Sequence, residues 1–286
     1  MQRSAEWFAE RVRKITASNL GACLGLVSYT SRKEAYNRAM GAVHTSDIGT
    51  SMHEERKNEA CEYGIRYEPH AIAEYELITG NRVDEARFVL HPTINWIGAS
   101  PDGYVGDAGI VEVKCPWFYK VPHATVPMHY YLQMNCQLEC TGRKWCDFVS
   151  WTPQQGMNIY RVLPDPTLFN WLKTNYLDDM HQAMEDNVGS FPTFKSGTAS
   201  VIKCRVKESM DTHIVGYQRT ILSMWKVPPP EKDPFDELEC ESSNVSHDYG
   251  ANDEGSVPTL GGAETPPFKR QARDVLRCVN EAGLSA

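Results

Sequence analysis

Apolar and polar residues follow two different periods along the chain, one helical and one of two residues. Apolar positions recur at helical spacing in four segments that we expect to be helices: 18–26, 68–78, 128–140 and 167–185. Runs rich in β-branched and aromatic residues predict five strands: 87–90, 96–99, 109–114, 146–151 and 157–162. No internal repeat is found. The pattern predicts a mixed α/β (α+β) body.

Two of these helices have recognisable ends. The helix over 18–26 follows a Thr-Ala-Ser run, and we expect a hydroxyl to cap its first turn. The helix over 68–78 begins at Glu68, directly before Pro69, and stops at Gly80. Its apolar residues fall on one side: Ile72, Tyr75, Leu77 and Ile78. We therefore expect that side to face the core.

The negative net charge of the chain is concentrated near its C-terminal end. The 286 residues include 37 Asp and Glu against 29 Lys and Arg, a net charge of −8, which taken alone argues against a nucleic-acid partner. Residues 228–264 contain ten acids and one base, and residues 265–286 contain four bases and two acids, so residues 1–227 carry only −1. Residues 1–40 have seven bases against three acids. The net charge of the chain therefore does not oppose DNA binding by its body.

The C-terminal part of the chain differs in composition from the rest. Residues 228–286 begin with three prolines, are rich in Asp, Glu, Ser, Gly and Pro, and follow no regular period, so we expect disorder. Within them, 270–284 have helical spacing and are expected either to fray or to fold on a partner. We divide the chain into a body over 1–195, an extension over 196–227 and an acidic tail over 228–286.

Several classes of protein and site are disfavoured. No window approaches 18 consecutive apolar residues, and the N-terminus is charged where a signal peptide is apolar, so we expect neither a membrane span nor export. Nine scattered cysteines without a Cys-x-x-Cys pair favour a reducing, intracellular compartment. His123 and His129 lack further ligands at zinc spacing. The spacing of Cys136, Cys140 and Cys146 does not match an iron–sulfur cluster, so we expect core cysteines.

The segment 109–114 is the most informative about chemistry. Side chains alternate along a strand, so Glu112 and Lys114 share one face while the valines share the other. Charged residues on a buried face must be paired or must bind a metal. If Asp102 ends the preceding strand of a hairpin, its carboxylate reaches the same face. The three side chains would then supply oxygen ligands for Mg²⁺ and a cation beside them.

Simpler interpretations exist for each of these residues taken singly. A Glu-x-Lys pair also occurs on exposed strands that alternate charge with valine. Arg11 fits a solvated helix surface, Ser18 fits a helix cap, and Gln133 fits a local hydrogen bond within a helix. Glu68 fits an acid in the first turn of a helix, where the helix dipole favours it. Only the combined pattern points to a site.

The combined pattern resembles the lambda exonuclease family, also called the YqaJ-like viral recombinase family, which includes the alkaline exonucleases of DNA viruses. Four blocks match in order, over about residues 3–190: 11–18, 64–68 with the helix that follows, 100–103 with 112–116, and 130–133 running to 142. The resemblance implies a PD-(D/E)xK nuclease with a restriction-endonuclease-like core, in which helices flank a central mixed sheet. It does not extend to the acidic tail.

The resemblance also implies a metal site. Asp102 and Glu112 are expected to ligate two Mg²⁺ ions, for which Mn²⁺ would substitute, and the carbonyl of Val113 is expected to be a backbone ligand. Lys114 is expected to position and deprotonate the attacking water. Glu68 is expected to lie beside the metals and to hold a water molecule or the second ion.

The remaining matched positions are expected to contact the site or the DNA. Gln133 would line the active site, while Arg11 and Ser18 would bind the 5′-terminal phosphate of the digested strand. Further DNA contacts are expected from Arg13, Lys14 and Tyr130. The chain departs from the family pattern at Asn135, where lambda exonuclease has a second glutamine, and we expect only a neighbouring polar contact to change.

The function implied is Mg²⁺-dependent 5′→3′ digestion of one strand of linear double-stranded DNA, which leaves 3′ single-stranded tails for recombination or viral genome processing. The expected partners are DNA ends and a single-strand annealing protein; for a viral protein the site of action would be the host nucleus or cytoplasm. Lambda exonuclease is a ring-shaped trimer and other relatives are monomers, so a homo-oligomer stays open. The alternatives are an endonuclease, an RNA-active nuclease, or a DNA-end-binding module with weak catalysis.

Overall fold

The computed structural model describes residues 5–41, 52–117, 121–186 and 193–220, and for residues 5, 52–58 and 220 only the backbone. All of them lie in the first of two compact units, Met1–Trp225. The predicted acidic tail over 228–286, including 270–284, lies outside the described residues. No helix in the described ranges combines the length and apolarity needed to span a bilayer.

A six-stranded mixed sheet forms the centre of the fold. Its strands lie in the order β2 (Val83–Asp84), β5 (Gly103–Val105), β6 (Gly109–Lys114), β7 (Trp145–Thr152), β8 (Gly156–Val162) and β9 (Ile214–Thr220). Only β6 and β7 are parallel within it, and the other neighbours are antiparallel. A second, three-stranded sheet has the order β1 (Ile15–Thr16), β4 (Ile97–Ala99) and β3 (Val89–Leu90).

Helices cover both faces of the large sheet. The helices in chain order are α1 (Ala5–Arg11), α2 (Ala17–Cys23), α3 (Arg32–Ala39), α4 (Met52–Thr79), α5 (Met128–Thr141), α6 (Pro166–Leu172), α7 (Asp178–Glu185) and α8 (Thr198–His213). Tyr75 and Glu74 of α4 hydrogen-bond to Asp147 and Trp151 of β7. Gln133 of α5 instead bonds to Glu112, on the other face. The predicted mixed sheet flanked by helices is confirmed.

Several predicted elements have different bounds in the structure. The helix predicted over 167–185 consists of α6 and α7, joined by a π-helical segment over Lys173–Leu177. The helix predicted over 68–78 is wrong at its start, because α4 begins at Met52 and Glu68 lies in its interior with Pro69. Proline favours a first helical turn, which misplaces the start, although a helix can continue past it with one hydrogen bond fewer.

The buried side of α4 also differs from the predicted one. Leu77 is 59% exposed, so its assignment to the core-facing side is wrong. The buried side is instead a row with four-residue spacing: Tyr63, Tyr67, Ala71 and Tyr75. Tyrosines can lie there because their rings pack against β7 and one another, and the Tyr75 hydroxyl donates a hydrogen bond to Asp147.

The hairpin expected before β6 involves a different strand. The segment 96–99 contains β4, which belongs to the small sheet, and the partner of β6 is the unpredicted strand β5. Asp102 therefore precedes β5 and does not end the earlier strand. Pro101 lies between the two strands and separates them, since proline cannot donate to a strand ladder.

Helix α2 starts without the expected hydroxyl cap. Its N-cap residue is Thr16, whose side chain makes no capping hydrogen bond, and Ser18 lies within the first turn. Both hydroxyls instead accept hydrogen bonds from the guanidinium of Arg11, at 3.3 Å for Thr16 and 3.0 Å for Ser18. Local sequence cannot show this competition for the hydroxyls.

The extension over 196–227 contributes to the sheet. Residues 198–220 form α8 and β9, and β9 pairs with β8 from Met157 to Val162. Val206 and Ile202 of α8 are fully buried, so this helix shares the main core. The described part of the extension is thus packed against the body.

Candidate active site

Two residues of β6 and the residue directly before β5 form the centre of the candidate site. Gly103 pairs with Val111 across the antiparallel strands β5 and β6, so the preceding residue Asp102 lies opposite Glu112 on the same face. Lys114 lies two residues after Glu112 and shares that face. Strand register therefore brings Asp102, Glu112 and Lys114 together, and with Glu68 they are called the carboxylate cluster below.

Glu112 is a buried carboxylate held by three donors. Its side chain is 1% exposed. The Lys114 ammonium and the Gln133 amide both donate to Oε1, the latter over 2.6 Å. The Gln137 amide donates to Oε2, also over 2.6 Å. Donors on both oxygens hold the carboxylate in one orientation and offset the cost of burying its charge.

Asp102 is a carboxylate that lies near two other acids, Glu112 and Glu68. Its Oδ2 accepts a hydrogen bond of 2.7 Å from the backbone N–H of Val113. Burial raises the pKa of Asp102 well above its usual range, and the negative charges of Glu112 and Glu68 raise it further. The Lys114 ammonium and the Val113 N–H oppose this rise. A cation beside Asp102 would therefore stabilise its charged form.

Lys114 remains protonated in this arrangement. Burial alone would lower the pKa of its ammonium, but the carboxylates of Glu112 and Asp102 raise it above its usual value. Nζ also lies 4.9 Å from the centre of the Tyr130 ring, within range of a cation–π interaction. Lys114 therefore supplies positive charge on the face that carries Asp102 and Glu112.

Glu68 reaches the cluster from helix α4. Its charge raises the pKa values of both Asp102 and Cys115, which places it within electrostatic range of these residues. Helix α4 packs against β6 and β7, and this packing brings Glu68 to the site from a different element. The four charged side chains therefore come from α4, the turn before β5, and β6.

The donor set suits Mg²⁺. Among the described residues, no three His, Cys, Asp or Glu side chains are arranged to hold a metal ion by themselves. Mg²⁺ in nucleotide-processing sites is held by one or two carboxylates, with waters and substrate phosphates completing its shell. Asp102 and Glu112 offer such carboxylates, and a divalent cation would relieve the repulsion that raises the pKa of Asp102. The residues present therefore fit this metal.

A basic pocket lies beside the cluster. It has a volume of about 460 Å³, is lined by residues of α1, α2 and α3, and contains the cations Arg11, Lys14 and Arg38. The Arg11 guanidinium lies 4.0 Å from the Trp7 ring and donates to Ser18 at 3.0 Å. Burial lowers the pKa of Arg11 to about 10, so it is charged at neutral pH. This pocket is called the Arg11 pocket below.

Ser100 connects the Arg11 pocket with the carboxylate cluster. Its hydroxyl accepts from Arg11 at 3.3 Å and from the Trp7 indole at 3.1 Å. Its backbone carbonyl accepts from Gln137 at 3.4 Å, and Gln137 also donates to Glu112. The two parts of the site are therefore joined by a continuous chain of hydrogen bonds.

The other predicted DNA contacts lie around these two parts. Arg13 is exposed with a left-handed backbone (φ 57°), and its backbone N–H donates to Ala39 in α3 at 2.6 Å. Lys14 lines the Arg11 pocket. Tyr130 lies beside Lys114 and stacks near His129, with ring centres 4.1 Å apart. Their contacts with DNA remain predictions.

The sequence reading missed three residues of the site: Gln137, Ser100 and Trp7. Gln137 follows Gln133 by four residues, which is one helical turn, so this spacing could have indicated it. Asn135 occupies the opposite side of α5, where its Oδ1 accepts from the backbone N–H of Asp165 at 2.7 Å. Its side chain therefore ties α5 to the start of α6 and does not contact Glu112.

The histidine and cysteine residues considered above take structural positions. His123 Nδ1 lies 2.8 Å from the Ser150 hydroxyl. Cys136, Cys140 and Cys146 are buried and unpaired with other cysteines, as expected for core thiols. In the described ranges these residues form no metal-binding group.

Comparisons with known proteins agree with this geometry. The model of the YqaJ-like viral recombinase domain matches residues 6–144, which include Arg11, Asp102 and Glu112. A comparison with curated proteins found no match. The crystal structure of an alkaline exonuclease (LHK-Exo) from Laribacter hongkongensis is 29% identical over 72% of this chain and 99% of that chain, with a TM-score of 0.51.

A second structure, LHK-Exo in complex with dAMP, is 32% identical over 64% of this chain and 96% of that chain, again with a TM-score of 0.51. This identity extends over nearly the whole length of the relative, and the family model covers the segment that carries Asp102 and Glu112. The chain therefore belongs to the YqaJ-like viral recombinase family and is a nuclease related to the alkaline exonucleases.

Proposed function

We propose that the protein is a Mg²⁺-dependent 5′→3′ exonuclease that digests one strand of linear double-stranded DNA and leaves 3′ single-stranded tails. The observation that carries this proposal is the convergence of Asp102 and Glu112 beside Lys114, next to a basic pocket containing Arg11. Its relationship to the alkaline exonucleases supports the class of reaction.

The carboxylate cluster would hold the metal. Asp102 and Glu112 are the expected ligands, with the Val113 carbonyl and Glu68 beside them. When bound, Mg²⁺ would neutralise charge on the scissile phosphate and favour the ionised form of the attacking water. The amides of Gln133 and Gln137 keep Glu112 oriented, and the same burial that raises the pKa of Asp102 keeps bulk water away from the charges.

Lys114 would supply positive charge where the phosphodiester gains negative charge. Its ammonium keeps its proton at Nζ, because the neighbouring carboxylates raise its pKa. We therefore propose that it positions the attacking water and stabilises the reacting groups through hydrogen bonds and charge. A protonated Nζ does not itself accept the proton of that water.

The Arg11 pocket would select the end of the DNA. A guanidinium binds phosphate through parallel hydrogen bonds, and the Ser18 hydroxyl lies 3.0 Å from it. A terminal phosphate carries more negative charge than an internal one, so a basic pocket favours an end. We propose that the 5′-terminal phosphate binds here while the adjacent phosphodiester lies at the carboxylate cluster, which gives 5′→3′ polarity.

The expected products and partners follow from this polarity. The products are 5′ mononucleotides and a 3′ single-stranded tail, which a single-strand annealing protein would bind. LHK-Exo has been solved with dAMP, a nucleoside monophosphate of the class that our proposal requires as product. Mn²⁺ is expected to replace Mg²⁺, since both accept oxygen ligands. The unpaired cysteines of the described residues agree with action in a reducing intracellular compartment.

The test is digestion of linear duplex DNA labelled at either the 5′ or the 3′ end, beside a covalently closed circle and an RNA duplex. With Mg²⁺ we expect early release of the 5′ label as mononucleotide, an intact circle and intact RNA, and no digestion in EDTA. Cleavage of the circle, early release of the 3′ label, faster digestion of RNA or full activity in EDTA would each contradict the proposal.

A further inference from the structure

The side-chain amide of Gln137, like that of Gln133, faces the carboxylate cluster. It lies one helical turn after Gln133 on α5, so both side chains project from one side of the helix. Both Nε2 groups donate to Glu112 over 2.6 Å, Gln133 to Oε1 and Gln137 to Oε2. Lys114 shares Oε1 with Gln133. Among the described residues, the hydrogen bond to Oε2 comes from Gln137.

The orientation of the Gln137 amide is fixed by its neighbours. Its Nε2 donates both to Glu112 and to the Ser100 carbonyl, at 2.6 and 3.4 Å. A flipped amide would place its oxygen against the Glu112 carboxylate and the Ser100 carbonyl, and the three acceptors would repel one another. Both donors of this amide therefore face the segments that carry the two acidic ligands.

The other end of the same amide is unsatisfied. Gln137 is fully buried, and its Oε1 has no hydrogen-bond partner among the described residues. A buried acceptor without a partner lowers the stability of the folded state. An apolar side chain of similar size would avoid this loss, but it would leave Oε2 of the buried Glu112 without its donor. The role of a glutamine at this position therefore lies in its two donors, because its oxygen makes no hydrogen bond.

We propose that Gln137 is a positioning residue for the metal ligand Glu112. Its hydrogen bond fixes Oε2, while Gln133 and Lys114 fix Oε1, so the carboxylate is held in one orientation before a metal binds. Its second donor ties this carboxylate to the Ser100–Asp102 turn, which carries the other acidic ligand. Partners behind a ligand commonly contribute 10- to 100-fold to metal affinity, in order-of-magnitude terms. This inference rests on the proposed function.

The test uses Gln137→Met, which keeps the length of the side chain and removes both the donors and the unsatisfied oxygen. The matched control is Glu139→Gln on the same helix, because the carboxyl of Glu139 faces Asp165, on the side away from Glu112. Binding of Mn²⁺ to the full chain without DNA is measured by calorimetry, well below the unfolding temperatures of all variants. Thermal unfolding in EDTA and digestion of linear duplex DNA by the wild type are measured in parallel.

We expect Gln137→Met to bind Mn²⁺ about 10- to 100-fold more weakly, with a lower unfolding temperature in EDTA because Oε2 of the buried Glu112 loses its donor. Glu139→Gln should bind Mn²⁺ as the wild type does. Unchanged Mn²⁺ affinity in Gln137→Met would overturn the inference, whatever its stability, and would leave the proposed function in place. A wild type that neither binds Mn²⁺ nor digests DNA would overturn the proposed function itself.

Gln137→Asn is a second variant that keeps a polar amide if the methionine does not fold. Its side chain is shorter and withdraws the donor from Oε2 of Glu112, so we expect a loss of Mn²⁺ affinity in the same direction. Wild-type affinity in this variant would also overturn the inference.

Discussion

The carboxylate cluster and the Arg11 pocket are neighbours, yet they are built by different means. Register between β5 and β6 sets Asp102 opposite Glu112, and buried amides from α5 hold Glu112. The Arg11 pocket lies between short helices, where one guanidinium is held by hydroxyls and by the Trp7 ring. The cluster carries opposing charges around the buried Glu112, with its other members half-buried, whereas the pocket is basic and its Ser18 is exposed.

This difference suggests a division of labour. Buried, oriented charges suit a reaction in which negative charge develops at one position, because they need little rearrangement. A half-buried arginine beside an exposed hydroxyl suits recognition of a group that enters and leaves with each substrate. We therefore expect changes in the cluster to affect all substrates equally, and changes in the pocket to affect only the choice between DNA ends.

The largest effect is expected for Glu112→Gln. The amide keeps the shape of the side chain but loses the charge that would hold the metal. We expect the digestion rate to fall on the order of 10²- to 10³-fold or more, on duplexes with and without a 5′ phosphate alike. Rates on end-labelled duplex measure this, with Glu139→Gln as a control. A residual rate near that of the wild type would show that Glu112 is not required for catalysis.

Arg11→Gln is expected to have a smaller and selective effect. Hydrogen bonds to charged groups contribute about 1.5–3 kcal/mol, so digestion of 5′-phosphorylated ends should slow about 10- to 100-fold. Digestion of 5′-hydroxyl ends should change little. Arg82→Gln removes an exposed arginine paired with Asp84 and serves as the control for charge. Equal losses on both kinds of end would contradict the assigned role of Arg11.

Ser18→Ala should show the same selectivity at lower magnitude. A neutral hydroxyl contributes about 0.5–1.5 kcal/mol, so the preference for 5′-phosphorylated ends should fall about 2- to 10-fold. Since Ser18 does not cap α2, the unfolding temperature should stay close to that of the wild type. A large loss of stability without a change in preference would make Ser18 a structural residue.

The smallest effect concerns the stability of the metal-free protein. Burial, together with the charges of Glu112 and Glu68, raises the pKa of Asp102 well above its usual range. The folded state therefore keeps a proton that the unfolded chain loses, and stability falls as pH rises from about 4 through the raised pKa. Asp102→Asn should remove this loss and raise the unfolding temperature at neutral pH by about 2–4 °C.

Thermal unfolding in EDTA and then with added Mn²⁺ measures this last prediction. Added Mn²⁺ should stabilise the wild type but not Asp102→Asn, because the substitution removes an expected metal ligand. The same substitution should also remove the activity. A lower unfolding temperature for Asp102→Asn in EDTA would show that the charged Asp102 carboxylate does not destabilise the folded state.

The sequence was most informative where local pattern and tertiary structure agree. The strand 109–114 and the strand pair around 146–162 have alternating or continuous apolar runs, and the structure contains all three. The predicted start of α4 and the predicted partner of β6 were wrong, since Pro69 is typical of a first helical turn and Pro101 separates β4 from β5. Both corrections depend on tertiary packing that local propensity does not contain.

The candidate site could be predicted in part for a similar reason. Strand alternation alone places Glu112 and Lys114 on one face, and the family resemblance adds Asp102 and Glu68. Ser100 contacts both Trp7 and Arg11 across about 90 positions of sequence, and no local pattern indicates such contacts. The four-residue spacing from Gln133 could have indicated Gln137, but its partner Glu112 lies on a different element.

The most direct test of this division compares wild type, Glu112→Gln and Arg11→Gln on one linear duplex with either a 5′ phosphate or a 5′ hydroxyl, in Mg²⁺. We predict that Glu112→Gln lowers both rates by the same large factor, whereas Arg11→Gln lowers only the rate on the phosphorylated end. An Arg11→Gln enzyme that keeps the wild-type preference, or a Glu112→Gln enzyme that digests either end at the wild-type rate, would contradict the account.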